Sequence, residues 1–194
     1  QGLRELCDEH GILLIADEIQ SGMGRTGRWW AIEEDGVEPD IITTAKGIAS
    51  GMPIGAFIAR DSVWTWPPGA HGSTFAGNPV CAAAALATLD VIESEGLANA
   101  AARGAQLRSG LERVATDAVR DIRGAGLMLG VEFASHEAAE AGQDGAFRSG
   151  LLTLECGESS LRFSPPLIVS EAEVDIAVHL FAHALAARSA QGTA

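Results

Sequence analysis

Asp17 and Glu18 close the apolar run in "LLIADEIQSGMGRTG", residues 13–27, and the only lysine of the chain, Lys46, follows a second run in "TTAKGIASG". A carboxylate at the end of a strand can hold the magnesium of a nucleotide, as in a P-loop ATPase, or it can face a positively charged ring nitrogen. The first chemistry requires a loop of the form G-x-x-x-x-G-K-[S/T]. None is present, and Lys46 precedes its glycine. A solitary lysine taken alone is usually a surface charge, but this one sits just past a strand. Its amine can form a Schiff base with an aldehyde, and pyridoxal phosphate is the common aldehyde cofactor that also needs a carboxylate for its pyridinium nitrogen. Asp17 would stabilise the protonated ring and so preserve the electron sink that accepts a carbanion.

These residues need a scaffold that brings strand ends together. "ILLIA" (12–16) is a continuous apolar run after a helix closed by Gly11, the pattern of a strand buried on both faces of a parallel sheet. "DIITTA" (40–45) repeats it more weakly, and residues 18–39 suffice for an irregular crossover between parallel strands. A third strand is expected in "IGAFIAR". In open α/β sheets ligands sit beyond the carboxyl ends of strands, so Asp17 and Lys46 are expected to face one pocket.

From Pro79 the pattern turns helical, with "VCAAAALATLDVIESEG" and then "LANAAARGAQLRSGLERVATDAV", residues 97–119, as two segments rich in alanine, the best helix former. The period falls to two in "LMLGVEF", where Leu127, Leu129, Val131 and Phe133 alternate with Met128, Gly130 and Glu132. "LLTLE" and "LRFSPPL" are candidates to pair with it. Ser170 and Glu173 form a capping box for a last helix with Val174, Val178, Phe181 and Leu185 on one face. The expected class is α/β, with a mostly parallel first part, residues 1–93, and a small α+β part, residues 94–194.

With 47% hydrophobic residues the 194-residue chain is too apolar for disorder. A formal charge of −13 opposes binding to DNA or RNA. Cys7, Cys81 and Cys156 are widely spaced without a C-x-x-C pair, which fits a reducing compartment, so cytoplasm is expected. No apolar run approaches the roughly 20 residues needed to cross a bilayer, and no leader opens the chain. The chain starts at Gln1 and reads as cut from something longer.

Four motifs, "LLIADEIQSGMGRTG", "PDIITTAKGIASGMPIGA", "HGSTFAGNPV" and "LRFSPPL", in this order and spacing, resemble the C-terminal half of a class III aminotransferase, a fold-type-I pyridoxal phosphate enzyme, near its 4-aminobutyrate, acetylornithine and ornithine branch. The resemblance implies the C-terminal part of a large, mostly parallel domain followed by a small C-terminal α+β domain. It implies that Lys46 is the Schiff-base lysine and proton shuttle, that Asp17 faces the pyridine nitrogen, and that Gln20 hydrogen-bonds near the phenolic oxygen. Thr74, with Ser73 beside it, corresponds to the threonine that reaches the cofactor phosphate of a neighbouring subunit, which implies a homodimer with shared active sites. Arg162 corresponds to the arginine that grips a substrate carboxylate, and a planar guanidinium suits that task.

The implied reaction moves an amino group from a donor (4-aminobutyrate, ornithine-like or an α-amino acid) to a 2-oxo acid. Racemases, decarboxylases and aminomutases of the family use the same lysine and aspartate and remain open, as does a catalytically inert fragment. The family's glycine-rich phosphate cup and the aromatic ring stacked on its cofactor belong to sequence before Gln1. Glu18 is expected to be structural and Arg25 to brace its loop. His179 and His183 lie one helical turn apart, but without the zincin glutamate no metal site is expected. Trp29, Trp30, Trp64 and Trp66 suit a substrate entrance, a dimer contact or a core equally well, and Cys81 is expected to be buried and inert.

Overall fold

The computed structural model describes residues 1–191. The chain gathers into two compact units, Gln1–Leu97 and Ala98–Ala194.

The first unit opens with helix α1 (Gly2–His10), stopped by Gly11 at φ 63°. Only glycine adopts this left-handed conformation without steric cost, and it lets the Ile12 N–H cap the Cys7 carbonyl at 2.8 Å. Strand β1 (Ile15–Asp17) runs parallel to β2 (Ile41–Thr44), with Ile15 opposite Ile41 and Asp17 opposite Thr43. Strand β3 (Ala56–Ala59) pairs antiparallel with β2. The sheet of this unit is therefore mixed, not mostly parallel. Residues 45–55 form one 3-10 turn and a loop, enough for a reversal, whereas a parallel return calls for a longer crossover.

The run "ILLIA" enters β1 at Ile15. The strand is short, and Ile12, Leu13 and Ile15 are each more than half exposed in this chain. Among the described strands β1 pairs with β2 alone. Helix α2 (Pro79–Val91) starts at Asn78, whose side chain accepts from the Val80 N–H at 2.9 Å, with proline in its first turn. It passes through a π-turn at Ile92–Gly96 into α3 (Leu97–Val114).

The second unit is a four-stranded antiparallel sheet with helices packed on it. Its strands are β4 (Val119–Ala125), β5 (Met128–Phe133), β6 (Leu154–Cys156) and β7 (Ser160–Phe163), in the order β4-β5-β7-β6. The alternation in "LMLGVEF" is as expected: Leu127, Leu129, Val131 and Phe133 are buried. α3 stops at Val114, short of residue 119, because Val119 opens β4. That strand escaped the pattern because Arg120, Asp121 and Arg123 interrupt its apolar face. Helix α4 (His136–Arg148) adds to the expected elements; Gly142 and Gly145 lower its propensity, yet Gly142 is where the Phe133 ring packs, 3.0 Å from any added Cβ.

The capping box opens α5 (Glu171–Gln191), with the Ser170 N–H donating to Glu173 at 2.7 Å and the Glu173 N–H returning to Ser170 Oγ at 3.3 Å. Val174, Val178, Phe181 and Leu185 are buried, and Phe181 meets Phe163 edge to face at 5.0 Å. Among the described residues, no helix is long and apolar enough to cross a membrane.

Candidate active site

Asp17 is the last residue of β1 and Lys46 lies two residues beyond the end of β2. The strands are parallel and adjacent, about 4.8 Å apart by ordinary sheet geometry, so both residues lie at the same end of one sheet. Both are exposed. Asp17 Oδ1 accepts two hydrogen bonds, from the Ile19 N–H and from the Thr43 hydroxyl, each at 3.1 Å. The first is an Asx-type turn that fixes where the chain leaves the strand. The second ties the carboxylate to the strand that carries Lys46. Thr43 is the contributor that sequence reading missed, and its signal lies in the register, since Asp17 and Thr43 share one rung and one face.

Lys46 has φ 44°, a left-handed conformation uncommon outside glycine. It begins the 3-10 turn Lys46–Ala49, which ends at Ser50 with φ 47°. Two non-glycine residues in this region store local strain, of order 1–3 kcal/mol each. The turn is held from behind: the Thr88 hydroxyl of α2 donates to Ser50 Oγ at 3.0 Å, and Ala49 is buried.

Glu18 is buried and bonded to its own loop, in keeping with the structural role expected of it. Its Oε1 accepts from the Ile32 N–H at 2.8 Å and its Oε2 from the Ser21 hydroxyl. Gln20 sits in the turn that follows and is exposed. Arg25 is half-buried in the same loop, where burial lowers its pKa from the ordinary guanidinium value. Ser73 and Thr74 lie in an exposed loop, with the Ser73 carbonyl accepting from the Ala76 N–H at 3.2 Å. The first unit thus carries Asp17, Gln20, Lys46, Ser73 and Thr74. In the second, Arg162 lies on β7 between Gly130 of β5 and Leu154 of β6, half-buried on the face opposite Leu161 and Phe163.

Trp64 and Trp66 are not core. Each is about half exposed, and with Phe57 and His71 they form one cluster of rings spaced 5.3 to 5.5 Å apart. Cys81 is buried and unpaired. His179 and His183 pack ring to ring at 4.7 Å. No group of three or more His, Cys, Asp or Glu among the described residues could hold a metal ion.

A carboxylate and a primary amine at one sheet end form a donor set suited to a ligand with a basic ring nitrogen and an aldehyde. Comparison with known proteins points the same way. The model of the family "Aminotransferase class-III" matches residues 1–185. An acetylornithine aminotransferase of Thermosynechococcus vestitus is 47% identical over 190 residues, covering 95% of this chain and 46% of that protein. One from Bifidobacterium longum is 48% identical over 183 residues, covering 91% and 42%. Among solved structures, an N-acetylornithine aminotransferase from Stenotrophomonas maltophilia superposes with a TM-score of 0.87 at 39% identity, covering 97% of this chain and 51% of that one. A transaminase from the marine bacterium Virgibacillus gives 0.91 at 30% identity, covering 97% and 48%. The chain spans less than half the length of the two curated relatives.

Proposed function

The chain belongs to the class III aminotransferase family, whose cofactor is pyridoxal 5'-phosphate, and from that premise we propose that the full-length protein transfers an amino group from an ω- or α-amino donor to a 2-oxo acid. The observation that carries this reading is the shared sheet end of Asp17 and Lys46, a carboxylate and the sole lysine on adjacent parallel strands. When bound, the cofactor supplies an electron sink for the bond broken at the donor carbon.

The residues of the chain divide the remaining work. Asp17, held by Thr43 and Ile19, would place its carboxylate against the ring nitrogen and so favour the ring's protonated state. Lys46 would hold the cofactor through its amine and move the proton at the donor carbon. Gln20 would donate toward the phenolic oxygen. Ser73 and Thr74 would bind the phosphate of a neighbouring copy in a homodimer, and Arg162 would bind a substrate carboxylate through its two-pronged guanidinium. Residues 1–93 are assigned to the cofactor-binding large domain and residues 94–194 to the small domain. The acetylornithine aminotransferases among the relatives favour an acetylornithine- or ornithine-type donor. A cytoplasmic location is proposed on the free state of Cys7, Cys81 and Cys156.

Borohydride reduction of the full-length enzyme with its cofactor tests the assignment. The label is expected on Lys46 and absent from Lys46→Ala. Full labelling of Lys46→Ala would overturn it. Product analysis with acetylornithine, ornithine, 4-aminobutyrate and α-amino acids, each with 2-oxoglutarate, separates transfer from racemisation or decarboxylation.

A further inference from the structure

We propose that Glu18 is a positioning residue for the two side chains around it, Asp17 and Gln20, locking the turn that presents them to the cofactor ring. The inference rests on the reading above that Asp17 and Gln20 face pyridoxal phosphate. Strand alternation sends Glu18 inward where Asp17 points outward, and its exposure is 3%. Four hydrogen bonds converge on this one residue. Its N–H donates to the Thr43 carbonyl at 3.0 Å, and its carbonyl accepts from the Gly22 N–H at 3.0 Å. Its carboxylate accepts from the Ile32 N–H at 2.8 Å and from the Ser21 hydroxyl.

The consequence follows from chain order. The Gly22-to-Glu18 bond closes a loop around Ile19, Gln20 and Ser21, so Gln20 is carried on a turn whose two ends Glu18 holds. The side chain then fastens that turn to the 3-10 segment Ala31–Asp35, fourteen residues along the chain. No slack remains beneath it: a Cβ at Gly22 would fall 2.8 Å from both the Glu18 carbonyl oxygen and the Trp30 ring. Asp17 has a bond of its own to Ile19 inside the same turn, so a shift of the turn displaces both ring contacts together.

The Ile32 N–H can only donate, whereas the Ser21 hydroxyl both donates and accepts, so an amide at position 18 would still satisfy both. Glu18→Met removes both bonds with little change in volume, Ser21→Ala removes one of them, and Glu18→Ala removes both with the side chain.

The full-length enzyme is titrated by absorbance against pH with pyridoxal phosphate bound, alongside amide hydrogen exchange of residues 18–32 without cofactor. Loss of a donor at the phenolic oxygen disfavours its anionic form, so Gln20→Ala is expected to raise the pKa of the bound chromophore by about one unit. Glu18→Met should raise it in the same direction, and Glu18→Ala by at least as much as Gln20→Ala, since the turn carries Asp17 as well. The Glu18→Ala/Gln20→Ala double variant should move it by less than the sum of the two single changes. Exchange at Ile32 and Gly22 should quicken at least tenfold in Glu18→Met, a readout independent of the cofactor. Should Glu18→Ala fail to fold, Glu18→Met and Ser21→Ala carry the comparison.

If the Glu18→Met titration superimposes on that of the wild type while that of Gln20→Ala moves, the positioning role is wrong and the cofactor assignment stands. The same holds if the Glu18 and Gln20 shifts add. A wild-type enzyme that binds no pyridoxal phosphate removes the assignment and this inference with it.

Discussion

The two units solve different problems with similar composition. In the second, a closed core forms without help: Leu107, Leu111, Leu127, Leu129, Val131, Phe133, Leu161, Val174 and Phe181 are all essentially fully buried. The first unit buries chiefly small or single apolar residues, such as Ala49, Cys81, Ala85 and Ile92, and leaves Leu3, Leu6, Ile12, Leu13 and Ile15 about half or more exposed. It also holds Asp17 and Lys46, two residues with φ above 40° in the turn after β2, and the half-exposed Trp64 and Trp66. The contrast teaches that most candidate site residues and the tightly interlocked core lie in different stretches of this chain. Left-handed non-glycine residues collect beside Asp17 and Lys46, and the large buried side chains lie in the unit that carries Arg162.

Substitutions can break or sharpen that contrast. Phe133→Ala should cost about 3–5 kcal/mol in urea unfolding, because the ring fills space between β5 and α4 that the fold cannot reclaim. A cost below 1 kcal/mol, of the kind tolerated at exposed positions, would mean the core of the second unit is not closed. Gly22→Ala should cost about 1–3 kcal/mol, since its Cβ meets backbone and the Trp30 ring; wild-type stability would show that the turn after β1 is loose. Ser170→Ala removes the cap of α5 and should cost about 1 kcal/mol.

Asp40 offers a pH test within the first unit. It accepts from the Arg4 guanidinium and the Leu14 N–H, both at 2.7 Å, and these hold its carboxyl below the usual carboxylate range, the Arg4 bond most of all. A depressed folded-state pKa stabilises the fold above the unfolded value of about 3.9 and loses that contribution as pH falls through the folded value. Asp40→Asn should therefore flatten the acid limb of thermal stability below about pH 4. An unchanged limb would remove Asp40 from the links between α1, β1 and β2. The smallest effect belongs to Ile15→Ser, expected within about 0.5 kcal/mol in this chain because the side chain already faces water. A loss as large as that of Phe133→Ala would erase the difference between the units.

Motif, periodicity and caps were legible in the sequence because they depend on near neighbours. The sole lysine after a strand, the alternation of Leu127 to Phe133, the Gly11 stop and the Ser170–Glu173 box all rest on local chemistry that a linear reading can weigh. The direction of β3, the existence of β4 and the register were not legible, since each depends on what lies across the sheet. β3 returns antiparallel, and β4 forms despite its charges because β5 offers it a partner. Residue types alone determined that an amine and a carboxylate were available after apolar runs, and the motifs supplied the resemblance from which their roles are proposed. Only the tertiary structure decided that Asp17 and Lys46 share one sheet end, that Thr43 joins them, and that Glu18 clamps the turn between, because hydrogen bonds between residues fourteen or more positions apart exist only once the strands have paired.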